Sequence, residues 1–457
     1  MIRTPVFAAM IALGCSSLCA ANFTDLEVNS KLRIPALELG SGKSISTSPA
    51  GDIELQRIEL YAHGARILAP DGKGGFRLLP RNPEIYFTRS DGNLRDPFFI
   101  ALSPDGKRFR GTLLKPDGAL SFSGIVTDGT LSVQKSHMAK DAVAEYRCET
   151  DGQLLRPKVP SGAQAKPRKP KSKAALGSLH EAIVAIDTDY ELIDEKFGGS
   201  TGAATTFLTD LFAGMNVMYE RDLDVRLVIG DTFLRDVAQA TDDPYSATTP
   251  STQLDEVAMY WNTTPALQLL DRAFVVFLSG KGPANSASGI AWIIEDNGSF
   301  NDDGNYCAQK GPAQVFGTNY GHYSATQLFE VAVPLSLEVS LIGHEIGHNF
   351  GASHTHCTNI NTGAFDVSTN TIDACYAAES GCYTGPTSCP TDNSISGRGS
   401  VMSYCHVSPS GCGSNLAEFH PTHQGALAAP ITTAISKGCL TAVGGGGVND
   451  IFTDGFE

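Results

Sequence analysis

The densest group of reactive side chains is His344-Glu345-Ile346-Gly347-His348-Asn349-Phe350-Gly351-Ala352-Ser353-His354, and a methionine follows in Ser400-Val401-Met402-Ser403-Tyr404. The pattern is HExxHxxGxxH. Three imidazoles so spaced can hold one divalent metal ion, and a water completing its coordination would attack a peptide carbonyl. Residues four apart lie one turn apart on a helix, so His344 and His348 reach the same ion. Continuing that helix would carry residue 354 past the metal. Gly351 permits a positive-φ turn that ends the helix and brings His354 back. Glu345 is then expected beside the water, not on the metal, taking its proton and passing it to the leaving amine. Zinc suits this set: it takes nitrogen ligands at ~2.0–2.1 Å and keeps a fourth position open in catalytic sites.

HExxH alone occurs by chance on many helices; the added glycine and third histidine make the metal reading the stronger one. His356, separated from His354 by Thr355, is a rival third ligand, but it is off the motif spacing and is expected beside the site or at the surface. His322, His406, His420 and His423 have no ligand spacing and read as ordinary polar residues.

These side chains need a scaffold. Ser336 to Phe350 reads as one helix, with Val339, Ile342, Ile346 and Phe350 on a core-facing stripe and the two histidines nearly opposite. Upstream, strands and helices alternate. Ala182–Asp187, Val225–Ile229 and Ala273–Leu278 are buried-type strands, Ala203–Tyr219 and Leu254–Leu270 are helices, and Gly289–Ile294 is an edge strand. The fold class is therefore α/β, with a mostly parallel sheet and helices packed on it. Residues 21–150 differ: short apolar runs are separated by Asp71-Gly72, Asp91-Gly92, Asp105-Gly106, Asp117-Gly118 and Asp128-Gly129, the signature of β-hairpins. Residues 156–173 are basic and interrupted by prolines, as expected of an exposed linker open to proteolysis.

The motif and its methionine resemble the metzincin clan of zinc endopeptidases. The order of elements before the motif is similar to the reprolysin-like (adamalysin-type) branch, particularly its bacterial members, over about residues 180 to 440. The resemblance implies a twisted mixed sheet with packed helices, protein or peptide substrates, and Met402 as a hydrophobic floor beneath the zinc ligands. It also implies that His406 to Pro409 wall the main specificity pocket and that Gly289 to Trp292 pair with an extended substrate. Tyr404 stands where some members have a tyrosine that stabilises the oxyanion, although a packing role reads equally well. A bridge between Cys307 and Cys439 is implied too. The chain departs from the branch at Thr355, where an aspartate usually follows the third histidine.

Cysteine usage carries a second line of chemistry. Eight cysteines lie in the second half (Cys307, Cys357, Cys375, Cys382, Cys389, Cys405, Cys412 and Cys439), an even set that reads as disulfides but allows roughly a hundred pairings. Cys148 is the odd one by count, and it follows Arg147 just before the linker. A thiolate is a strong zinc ligand. Cys148 is thus a candidate to fill the open metal position and keep the chain latent, like the cysteine switch of related zymogens; a buried thiol or an intermolecular bridge is the rival reading.

The 457 residues divide into a signal peptide (1–20), a β-rich propeptide (21–155), a linker (156–178), a catalytic domain (179–442) and a Gly-rich tail (443–457). Arg3, the apolar run from Pro5 to Leu18 and the small residues near Ala20 carry the first of these assignments, which implies secretion to an extracellular or periplasmic space. A net charge of -15 argues against nucleic acid, and no run is long enough for stable membrane insertion. Residues 296–305 are rich in oxygen ligands and make calcium a candidate, but they lack the EF-hand spacing and a solvated loop is the simpler reading. The expected activity is zinc-dependent peptide hydrolysis from a latent zymogen. The alternative is a catalytically silent binding module, which would have no need of Glu345.

Overall fold

The computed structural model describes residues 31–33, 55–89, 98–115, 118–127, 130–140, 146–148, 178–237, 242–282, 287–292, 323–329, 333–365, 370–391, 397–407, 411–413 and 415–443. The export segment, the basic linker, the candidate calcium loop, Cys307, His322 and the tail lie outside them.

The first half contributes β1 (Lys31–Arg33), β2 (Leu55–Ile58), β3 (Ile67–Pro70), β4 (Phe76–Leu79), β5 (Ile85–Arg89), β6 (Phe98–Leu102), β7 (Arg108–Lys115), β8 (Gly118–Thr127), β9 (Thr130–Lys140) and β10 (Tyr146–Cys148). The second half contributes β11 (His180–Thr188), α1 (Thr201–Leu223), β12 (Val225–Phe233), α2 (Pro250–Thr263), α3 (Pro265–Gln268), β13 (Phe274–Ser279), β14 (Ala287–Ala291), β15 (Tyr323–Gln327), α4 (Leu335–Asn349), α5 (Pro421–Ser436) and β16 (Thr441–Ala442).

Seven strands of the first half form one sheet in the order β1-β9-β8-β7-β6-β5-β2, every pair antiparallel. The Asp105-Gly106 turn joins β6 to β7, with Gly106 at φ 67. Successive side chains of a strand face opposite sides, and β6 uses both. Phe98, Ile100 and Leu102 pack with Phe87, Phe109, Leu113 and Phe122. Phe99 and Ala101 instead join the main core with Leu208, Leu211 and Met215 of α1.

The second sheet runs β10-β14-β15-β13-β11-β12-β3-β4, with β16 added to β11. Its centre is parallel, as the alternation of strands and helices implies, whereas β14 is antiparallel to β15. Both ends of this sheet come from the first half: β3 pairs parallel with β12, and β10 pairs parallel with β14. The expected edge strand Gly289–Ile294 is therefore not an edge here, because Tyr146–Cys148 lies outside it, and its described part is Ala287–Ala291. Ion pairs tie the halves further, Arg66 to Asp231 at 2.6 Å and Arg110 to Asp210 at 2.5 Å.

Local sequence explains several helix ends. Ser200 caps α1, its side chain accepting from the Ala203 N–H, and Asp224 ends the helix in the left-handed region at φ 54. The single helix expected over Leu254–Leu270 is two helices, α2 and α3. Proline has no N–H and disfavours helical backbone before it, so Thr264 is extended and Pro265 starts the second piece. α4 is buried on all sides from Ser336 to Asn349, as befits a helix at the centre of the molecule. α1 packs on it closely: a Cβ at Gly214 would lie 2.6 Å from Val339 Cγ2, and the Tyr219 hydroxyl donates to the Gly343 carbonyl at 2.7 Å.

Candidate metal centre

α4 presents His344 and His348 from successive turns, with ring centroids 4.6 Å apart. After Asn349 the helix ends, and Gly351 takes φ 104, the conformation its position requires. That reversal returns His354. Nε2 of His348 then lies 3.0 Å from Nε2 of His344 and 3.1 Å from Nε2 of His354. All three residues are buried.

The opposite nitrogen of each ring is held by an acceptor. His344 Nδ1 donates to the Val401 carbonyl at 2.8 Å, His348 Nδ1 to the Ala352 carbonyl at 2.7 Å, and His354 Nδ1 to Glu379 Oε2 at 2.7 Å. This network assigns the proton of each neutral ring to Nδ1 and leaves a lone pair on Nε2. Burial holds His344 and His348 well below the ordinary histidine range, and the neighbouring imidazoles add to it. With Nδ1 of each ring on an acceptor, the three Nε2 atoms face one point, an arrangement suited to a cation held between them. Tetrahedral nitrogen ligands at the usual zinc distance would lie ~3.3 Å apart, close to the observed spacing. The donor set fits a zinc ion.

Two further groups face the same point. The Cys148 thiol lies 3.6 Å from His348 Nε2 and 3.5 Å from Glu345 Oε2. The ligand atoms of Cys148, His344, His348 and His354 all lie within 4.8 Å of one another. A thiolate and an imidazole nitrogen sharing a zinc ion would lie ~3.6 Å apart. Glu345 is fully buried, and Gly289 makes room for it: a Cβ there would collide with its carboxylate.

Met402 is buried against the back of α4, where a Cβ at Gly347 would lie 2.6 Å from its sulfur. Its carbonyl accepts from the Thr355 N–H at 3.1 Å, which fixes the methionine turn beneath the chain carrying His354. Tyr404 packs against the His354 ring at 4.5 Å, and its hydroxyl donates to the Cys148 carbonyl at 2.6 Å. The Cys148 side chain sits in an apolar pocket with Tyr404, Val407 and Tyr376. Of the expected pocket wall, His406 and Val407 are described.

His356 is not drawn to the common point. Its ring stacks on His354 at 5.3 Å, and its Nε2 donates to Glu379 Oε2 at 2.7 Å. His406 Nδ1 lies 3.1 Å from Asn415 Nδ2, His420 caps α5, and His423 Nε2 lies 3.1 Å from Thr358 Oγ1. Glu379 is the residue sequence reasoning missed. It is 25 positions from His354, in a stretch with no periodicity or motif. Disulfides join Cys357 to Cys382, Cys375 to Cys405 and Cys389 to Cys412. Cys439 is also disulfide-bonded, while its expected partner Cys307 lies outside the described residues.

Residues 180–417 match the family model Reprolysin_5, metallo-peptidase family M12. No curated protein matches the chain. One solved structure, titled "Structure of a chaperone-substrate complex", is similar at 13% identity and TM-score 0.26, over 55% of this chain and 32% of that one. This chain thus spans about a third of that protein's length.

Proposed function

Because the chain belongs to metallo-peptidase family M12, we propose that it is a zinc-dependent endopeptidase, exported and made as a latent precursor. The observation that carries this reading is the convergence of three Nε2 atoms, 3.0 and 3.1 Å apart, beside the carboxylate of Glu345. His344, His348 and His354 would hold the metal.

Zinc, when bound, supplies Lewis acidity that polarises the scissile carbonyl and acidifies the attacking water. The residues of the chain do the rest. Glu345 takes a proton from that water on its carboxylate as the new C–O bond forms. It gives the proton to the amine nitrogen as the C–N bond breaks. Its burial keeps competing solvent away. The Tyr404 hydroxyl, which donates to the Cys148 carbonyl at 2.6 Å, would donate to a substrate carbonyl oxygen as negative charge builds there. β14 would hold an extended substrate by backbone pairing, with little demand on its sequence.

Latency rests on β10. Cys148 pairs in register with Gly289, so this segment lies where the substrate backbone would run. Its sulfur lies with the three imidazole nitrogens, the four ligand atoms within 4.8 Å of one another, and would fill the fourth position on the metal. In this reading Cys148 is the latency ligand, and cutting the basic linker begins its removal. Export is supported by the apolar leader in the sequence and by the three disulfides around the site. Among the described residues no helix is long and apolar enough to cross a membrane.

The test is cleavage of a casein-type substrate by the processed protein, with and without a chelator, beside Glu345→Ala. Chelator-sensitive cleavage that the variant lacks supports the mechanism. Cleavage that survives either change contradicts it.

A further inference from the structure

Glu379 reaches the centre from a segment remote from the motif. The segment is folded onto the site by the Tyr383 N–H donating to the His356 carbonyl at 3.0 Å and the Ile372 N–H to the Thr355 carbonyl at 3.2 Å. The Cys357–Cys382 disulfide locks it, joining the residue after His356 to one three places beyond Glu379. The carboxylate is 2% exposed, and one oxygen, Oε2, accepts from both His354 Nδ1 and His356 Nε2 at 2.7 Å. Its other oxygen has no hydrogen-bond partner among the described residues. No lysine or arginine pairs with it among those residues. An ionised carboxylate so deeply buried needs a compensating positive charge. Of the two imidazoles, His354 connects the carboxylate to the point where the three Nε2 atoms meet, its Nδ1 on Glu379 and its Nε2 3.1 Å from His348 Nε2.

We propose that Glu379 is a positioning residue for the metal centre, fixing the tautomer and orientation of His354, with the Cys357–Cys382 disulfide holding it in place. It supplies that support from a segment remote from the motif and closed by a disulfide. This rests on the metal reading of the three histidines, and it concerns how they are held rather than what the protein cleaves. A carboxylate on the far nitrogen of a metal-bound imidazole fixes the ring and raises its basicity; losing such a partner typically costs about 10–100-fold in metal affinity.

The experiment uses the full chain and measures affinity for Zn²⁺ by competition with a chromophoric chelator, together with the visible spectrum of the Co²⁺ form. Glu379→Gln keeps the shape and removes the charge. It is expected to bind zinc about 10–100-fold more weakly, with shifted Co²⁺ bands and an unchanged melting temperature of the metal-free chain. Glu379→Ala, which also loses both hydrogen bonds, should be weaker still. The pair Cys357→Ser and Cys382→Ser reaches the same residue by another route and should also weaken zinc binding. Wild-type affinity and spectrum in Glu379→Gln would overturn the inference, as would a metal-free melting temperature that falls in step with affinity. A wild-type chain that binds no zinc overturns the metal reading as well. One that binds zinc but cleaves nothing removes the proposed activity and leaves this inference to be judged by the affinities.

Discussion

The Cys148 sulfur lies 3.6 Å from His348 Nε2, on the side of the imidazole cluster where Glu345 also stands. Two residues 200 positions apart meet because β10 adds in parallel to β14. If that sulfur blocks the metal, Cys148→Ser should give the uncut precursor measurable cleavage, where the wild-type precursor has none. Equal latency in the two chains would show that the thiol does not block the site. The Co²⁺ form offers a second check: its thiolate charge-transfer absorption should vanish in the variant.

Gly289 faces Glu345 with no space for a methyl group. Gly289→Ala should displace the carboxylate while leaving the histidines in place. Misplacing a catalytic group by about 1 Å can lower turnover about 100-fold. The expected result is a loss of kcat of that order with zinc content retained. Full activity in the variant would show that Glu345 does not need its present position.

His423 is buried beneath the segment after the motif, and burial, with His420 and His354 adding to it, lowers it to about 3. Its folded value is below its unfolded one, so the unfolded chain binds more protons between these values. Stability from this group is therefore present above about pH 6.5 and is lost as pH falls toward 3. His423→Gln should flatten this part of the stability–pH curve, by on the order of a few kcal/mol. An unchanged slope in urea titrations across that range would contradict the assignment.

The two halves share one core, in which Phe99, Ala101 and Leu114 of the first pack with Leu208, Leu211 and Met215 of the second. They also share a sheet whose outer strands at both ends belong to the first half. Cutting within residues 156–173 should therefore leave the fragments together on size exclusion, and mild denaturant should be needed to part them. Immediate separation after nicking would show the shared core to be too small to hold them.

Much of the centre was legible because it is local. His344, Glu345 and His348 share one helix, and Gly351 is the one residue whose φ of 104 the reversal toward His354 demands. Met402 was legible only through the resemblance, since a single methionine otherwise reads as core. The supports were not legible because each is set by long-range pairing. Glu379 has no pattern to mark it, and its place depends on Cys382 finding Cys357. β15 reads Tyr-Ser-Ala-Thr-Gln, without an apolar run, yet all five residues are buried because strands flank it on both sides. β10 is three residues long and is a strand only because β14 is there to receive it. The break between α2 and α3 was readable from Pro265, and the apolar periodicity across it misled.

The most direct measurement is the zinc content of the purified, oxidised full chain beside His354→Ala, by elemental analysis after exhaustive dialysis. One tightly held zinc per chain is expected, lost or readily dialysed in the variant. A wild-type chain that retains no zinc, or a variant that holds it as firmly, would contradict this expectation.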